Sequence, residues 1–368
     1  MPIFMSLFAA SISLVMLFCP LSTTAKSPEI TQPTTVISDL KYFHLEHKDV
    51  VAVAVETCLP AADIPDPSSY RLEPQYRVKT QTNSIAITIS GQQALPELSN
   101  KNLYTKVTPS SRLSQIALAD KENELALTAA YNDRLTQPQI TTVKRKRMIN
   151  PDNTITFRTY VVVSFADMGK IPAKTIVLDA GHGGTALGAT SNFLLEKDLN
   201  LDLALLCRDL FVNHGYDVYM TRTDDSNPSL LDRADAANIL NADILLSIHN
   251  NSMPEDMPDA AKKLYRGTTA LYNSAAPKPA KELAILIADE VAGSLHIHQY
   301  PLQDRPGLVL LNSSWVPVVI VETAMMPHPQ DAKMLSQRIY RNEAAQAIFQ
   351  ATEKYFAISS LTVGGNQP

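Results

Sequence analysis

This chain predicts an α/β fold, a mostly parallel twisted sheet flanked by helices, preceded by a smaller β-rich domain. Two observations carry that expectation. From about residue 170 onward, short β-branched runs alternate with stretches of helical period, the pattern of strand, crossover helix and parallel strand. Earlier, runs such as Val50-Val-Ala-Val-Ala-Val-Glu56, Ser84-Ile-Ala-Ile-Thr-Ile89 and Tyr160-Val-Val-Val-Ser-Phe165 recur with Pro-rich turns between them. Composition agrees: 368 residues suffice for two domains, and 45% hydrophobic with 19% charged residues excludes a disordered chain.

The first 25 residues differ from the rest. Met5 to Leu17 is nearly all apolar, Pro20 and Ser22 interrupt it, and Thr23-Thr-Ala25 offers small residues for cleavage, so residues 1–25 are expected to be an export signal. That run falls short of the ~20 residues that span a bilayer, and no later run is longer. The mature chain is therefore expected without a stable membrane span, outside the cytoplasm: in the periplasm first, secreted or wall-associated otherwise. Loss of the signal removes Cys19 and leaves Cys58 and Cys207, expected as buried free thiols.

Residues 26–40, with Pro28 and Pro33, read as a linker, and 41–170 as the β-rich domain. Leu113, Ile116, Leu118, Leu125 and Leu127 suggest one helix over 111–131. The basic run Lys144-Arg-Lys-Arg147 reads first as solvated charge and second as a contact for anionic glycan or membrane surface.

Residues 171–368 form the expected catalytic domain. Strands are expected over 175–179, 217–221, 243–249, 268–272, 308–311 and 318–321. Helices are expected over 199–214, where Gly215 ends the period, and over 231–240, 279–295 and 331–356. From Ile171 onward 15 Lys/Arg face 22 Asp/Glu, a net of −7, which argues against a nucleic-acid partner.

In open α/β sheets the ligand crevice lies beyond the carboxyl ends of the strands. His182, His249 and Glu322 each fall at or just past such an end, and Glu196 opens the first helix. His182 is flanked by Gly181, Gly183 and Gly184, which let the backbone turn sharply and leave the imidazole approachable. Two imidazoles and one carboxylate, His182, His249 and Glu196, make a catalytic zinc set with a fourth position left for water. Glu322, at the mouth of a β-branched strand, is the candidate proton carrier.

That combination resembles the zinc-dependent N-acetylmuramoyl-L-alanine amidases, bacterial enzymes that cut the stem peptide from the glycan strand of peptidoglycan, and the likeness spans about residues 174–357. The resemblance rests on Leu178-Asp-Ala-Gly-His-Gly-Gly184, Leu195-Glu-Lys-Asp-Leu-Asn-Leu201, Ser247-Ile-His-Asn-Asn-Ser252 and Pro317-Val-Val-Ile-Val-Glu-Thr323. It implies an amidase- or carboxypeptidase-like zinc fold, with Zn2+ on His182, Glu196 and His249, and Glu322 as catalytic acid/base. Arg222, Arg233 and Asn200 fit the family's framework, and Asn250 and Arg233 are expected as substrate contacts. Two departures bear on loop shape and substrate preference: Ala186 stands where an aspartate is frequent, and Ala324-Met-Met-Pro-His328 where Gly-Phe-x-Ser-Asn is usual. The short, Pro-punctuated segment 250–267 implies an open cleft without an inhibitory helix. By position, the β-rich part is expected to hold the enzyme on the wall or on a division-site partner. The rival readings are a zinc carboxypeptidase-type peptidase acting on wall peptides and a non-catalytic wall-binding or activator protein.

Overall fold

The computed structural model describes residues 34–61, 74–90, 111–121, 124–131, 138–145, 148–167, 174–191, 193–253, 256–278 and 280–364. The expected export signal, residues 26–33 of the expected linker, Lys146, Arg147 and residues 168–173 at the expected domain boundary lie outside them.

Two antiparallel sheets build the N-terminal part. One joins β1 (Thr34–His44), β2 (Lys48–Pro60), β9 (Thr154–Ala166) and β7 (Gln139–Lys144) in that order, with β8 (Met148–Ile149) also on β9. The other joins β3 (Tyr76–Gln81), β4 (Ser84–Ser90), β6 (Glu124–Tyr131) and β5 (Leu113–Lys121). Ile85, Ile87, Leu125 and Leu127 of the second sheet pack on Val51, Val53, Val161 and Val163 of the first, giving a β-sandwich.

Two expectations change here. The linker cannot reach residue 40, because β1 begins at Thr34 and pairs with β2 from Thr34↔Cys58 to His44↔Asp49. The helix expected over 111–131 is the β5–β6 pair. A bulge between Leu113 and Gln115 offsets the alternation by one residue, which brought Leu113 and Ile116 into helix-like spacing.

The C-terminal part is a six-stranded sheet with the order β13 (Asp217–Met220), β10 (Thr175–Ala180), β14 (Ile244–Asn251), β17 (Val318–Met325), β15 (Thr269–Tyr272), β16 (Gln303–Asp304). It is mixed rather than mostly parallel: β10 runs parallel to β13 and β14, β14 to β17, and β15 to β16, but β15 lies antiparallel to β17. A parallel neighbour needs a crossover that returns the chain to its starting end. Among the described residues between β14 and β15 the one helix is the single turn α3 (Asp259–Lys262), so the chain comes back from the end at which it left.

One face of this sheet is covered by α1 (Glu196–Asn213), α4 (Lys281–Leu295) and α7 (Arg338–Gly364). On the other face lie α2 (Leu230–Ile239) and α5 (Val309–Ser313), the latter a helix where a strand over 308–311 was expected. An apolar run of four residues carries no period that separates the two states. The closing helix is divided in two, α6 (Pro329–Leu335) preceding α7.

The two parts share a core. Val50, Ala52, Ala54, Tyr160 and Val162 pack with Ala234, Ala236, Ala237 and Ile239 of α2 and with Val177 and Val318 of the central sheet. This accounts for the unbroken apolar run of β2: Val51, Val53 and Val55 face the sandwich interior, while Val50, Ala52 and Ala54 face α2. A strand buried on both faces loses its polar alternation. Each fully buried valine contributes about 1.5–3 kcal/mol relative to exposure. Among the described residues no helix is long and apolar enough to cross a membrane.

Candidate metal centre

Four separate elements bring the candidate residues to one sheet edge. β10 ends at Ala180, and the Gly181 N–H donates to Ile248 O at 3.0 Å, extending the pairing with β14 by one residue. His182 then adopts a left-handed φ of 63°, which costs a non-glycine residue about 1–3 kcal/mol and turns the chain out of the sheet. Gly188, at φ +68°, lets the loop pass under the site, since a Cβ there would lie 2.5 Å from Glu196 Oε2 and 2.7 Å from the His182 ring.

Glu196 is the first residue of α1, where a carboxylate is favoured by the helix dipole. Its backbone N–H donates to Ala189 O at 2.9 Å, and the Ala189 N–H donates to its Oε2 at 2.7 Å. His249 lies near the end of β14, between β10 and β17.

The three side chains converge. Glu196 Oε1 stands 3.1 Å from His182 Nε2 and 3.0 Å from His249 Nδ1, and the two rings meet edge to face at 4.8 Å between centroids. One donor atom from each residue falls within 4.8 Å of the others. Burial would push the Glu196 carboxyl up, but hydrogen bonding and charge from His182 and His249 outweigh it and hold the carboxyl well below the ordinary range. Two imidazoles and an ionised carboxylate at these separations suit one divalent ion of zinc type.

Glu322 is the direct cross-strand partner of His249 in the β14–β17 ladder. Its Oε2 is buried with no hydrogen-bond partner among the described residues. Burial pushes its carboxyl up to about 7; His249 acts in the opposite direction and Glu196 adds to the rise.

Arg233, expected as a substrate contact, is instead fully engaged by the protein, and Asn250, also expected as one, lies buried beside Glu196. The Arg233 guanidinium is almost fully enclosed and bonds Pro228 O, Asp179 Oδ1, Ala180 O, His182 O and Asn227 Oδ1 at 2.7–3.0 Å. Those five bonds use every donor the group has, leaving none for a substrate. Asn250 is buried; its backbone N–H donates to Glu196 Oε1 at 3.2 Å and its Nδ2 to Asn200 Oδ1 at 2.9 Å. Lys197, beside Glu196, is also buried and reaches Gly184 O and Asp225. The basic run at 144–147 loses its solvated reading at Arg145, which is buried and paired with Asp235.

Sequence reasoning placed Arg222 and Asn200 in the framework without their partners and missed Asp179. Arg222 donates to Ala180 O, Gly181 O and Lys197 O, and Asn200 donates to Gly181 O and Glu196 Oε1. Asp179 holds Arg233 while accepting from Thr221 and Ser247. One signal was available: an aspartate inside the apolar strand Ile176-Val-Leu-Asp179 has to find a buried partner.

A family model described as N-acetylmuramoyl-L-alanine amidase matches residues 176–354. The N-acetylmuramoyl-L-alanine amidase LytC of Bacillus subtilis is 33% identical over 186 residues, 50% of this chain but only 36% of LytC, so the chain spans little more than a third of that relative. The uncharacterized protein YqiI of Bacillus subtilis is 30% identical over 187 residues, 50% of this chain and 86% of YqiI. The crystal structure of an N-acetylmuramoyl-L-alanine amidase from Clostridium difficile 630 aligns with 28% identity and a TM-score of 0.47, covering 50% of this chain and 97% of that one. Over residues 176–354 this chain is therefore similar to the N-acetylmuramoyl-L-alanine amidases.

Proposed function

We propose that the protein is a zinc-dependent hydrolase of the amide between N-acetylmuramic acid and L-alanine in peptidoglycan, with His182, Glu196 and His249 holding the metal and Glu322 carrying the proton. The observation that supports it most is the three-donor cluster within 4.8 Å, set directly across a strand pair from Glu322, whose Oε2 is buried without a partner among the described residues. Zinc, when bound by such a set, supplies Lewis-acid polarisation of the scissile carbonyl and lowers the pKa of water. Glu322, with a pKa near neutrality, takes a proton from the attacking water as the new C–O bond forms, then returns it to the leaving nitrogen as the C–N bond breaks. Ala189, Asn200 and Asn250 hold the Glu196 carboxylate in place throughout. Export to the wall compartment, the periplasm first, and a wall or division-site contact through the N-terminal part belong to the same proposal.

The test uses purified full chain on muropeptides, with elemental analysis of the protein. The expected result is stoichiometric zinc and release of intact stem peptides, abolished by a chelator and restored by zinc. Cleavage inside the stem peptide would instead assign a carboxypeptidase-type activity, and binding without cleavage a wall-binding protein.

A further inference from the structure

The helix α2 links the N-terminal sheet to the candidate metal centre. Arg145, just past β7, is almost fully enclosed; its Nε donates to Asp235 Oδ2 at 2.6 Å and its Nη2 to Asp232 Oδ1 at 3.1 Å, both on α2. The Tyr160 hydroxyl of β9 donates to the same Asp235 oxygen at 2.6 Å. Between those two aspartates sits Arg233, whose Nη2 donates to His182 O at 2.8 Å and whose Nη1 donates to Ala180 O and Asp179 Oδ1 at 2.7 Å. The outer side of α2 is tied to the β-sandwich, and its inner side carries the loop that presents His182. Alanines 234, 236 and 237 let the sheet and helix pack closely, so a shift of the helix has little slack to absorb it.

We infer that Arg145 is a positioning residue for the metal centre: it fixes α2 through Asp235 and Asp232, and α2 in turn fixes the backbone of His182 through Arg233. The N-terminal part is then a working piece of the catalytic site rather than a detachable anchor. This rests on the reading of His182 as a metal ligand. Its physical warrant is two sets of charge-assisted hydrogen bonds, from Arg145 to Asp235 and from Arg233 to His182, joined by the backbone of one ten-residue helix.

The experiment is amide exchange on full-length chain stripped of metal, together with zinc affinity by chelator competition. The amides of Gly181, Gly183 and Gly184 are bonded to Ile248 O, Ala186 O and Asp225 O, so each reports the state of the His182 loop. The double variant Arg145→Ala/Asp235→Asn removes the ion pair without stranding a buried charge. It is expected to speed exchange at those glycines and to weaken zinc binding by roughly threefold to thirtyfold each, with α4 amides unchanged. Tyr160→Phe deletes one hydrogen bond to Asp235 and gives the same pattern at a smaller factor, which keeps the test available if the double variant fails to fold. His47→Phe removes the imidazole contact between the two parts that runs to Asp217 and not to α2, and should leave the loop unchanged. Unchanged glycine exchange in folded Arg145 or Tyr160 variants, or an equal effect from His47→Phe, would overturn the inference. Exchange is read without metal, so a wild type that binds no zinc would refute the functional reading while leaving this measurement to be judged separately.

Discussion

The ring of His249 lies directly against the α-carbon of Gly181: a Cβ at that position would stand 2.2 Å from Nε2 and 2.3 Å from Cε1. No flexible chain end absorbs such a clash, because the ring sits on β14 and the glycine on the extension of β10. Gly181→Ala is therefore expected to push His249 out of register with Glu196. Zinc affinity should fall about tenfold to a hundredfold, the range found when groups supporting metal ligands are lost. Chelator competition measures it, and unchanged affinity would mean that His249 is not a ligand.

Glu322→Gln keeps the volume of the side chain and removes its proton exchange. Zinc content should remain that of wild type, while turnover on muropeptides should fall by about 10²–10⁴ if the residue acts as general acid and base. His182→Ala should lose metal and turnover together. Full zinc occupancy in the His182→Ala protein would remove it from the ligand set.

Asp179 and Arg233 form a buried pair, each side chain only 2% exposed. Asp179→Asn should destabilise the protein by about 3–5 kcal/mol, because it leaves the Arg233 charge enclosed without its counter-ion. The same pair sets a pH dependence. Burial alone would raise the Asp179 carboxyl, but the Arg233 charge and the hydrogen bonds from Ser247, Thr221 and Arg233 prevail and hold it below its ordinary value of 3.8. A carboxyl depressed in the folded state stabilises it fully above the unfolded pKa and loses that contribution as pH falls through the folded value. Urea unfolding of wild type and Asp179→Asn should accordingly differ most above pH ~4 and converge in stronger acid.

Cys207, buried in α1, has its thiol pushed up to about 12 by burial, whereas Cys58 is half-buried in β2. Native protein treated with iodoacetamide should be labelled at Cys58 well before Cys207, with Cys207 reacting only after unfolding. Mass spectrometry of the two peptides reads this directly. Rapid native labelling of Cys207 would contradict the packing of α1 against the sheet.

Local chemistry, readable along the chain, determined the reactive half of this protein. A mostly apolar strand running into Gly-His-Gly-Gly, an acidic residue opening the next helix, a histidine near the end of a later strand and a glutamate after a β-branched run each announce themselves by residue type and by local position. Short-range pattern failed where tertiary contact overrode it. The β5 bulge made Leu113 and Ile116 look helical, and four apolar residues near Leu310 had no period with which to declare α5. Only the folded arrangement decided that Arg233 and Asn250 support the ligands, that Arg145 is enclosed rather than solvated, and that β2 is covered on both faces by two different parts of the molecule. The reason is physical. A side chain's reactivity is carried by its own atoms and immediate neighbours, whereas its burial and its partners depend on residues far away in sequence, such as Asp235 for Arg145, that meet it only once the chain has closed.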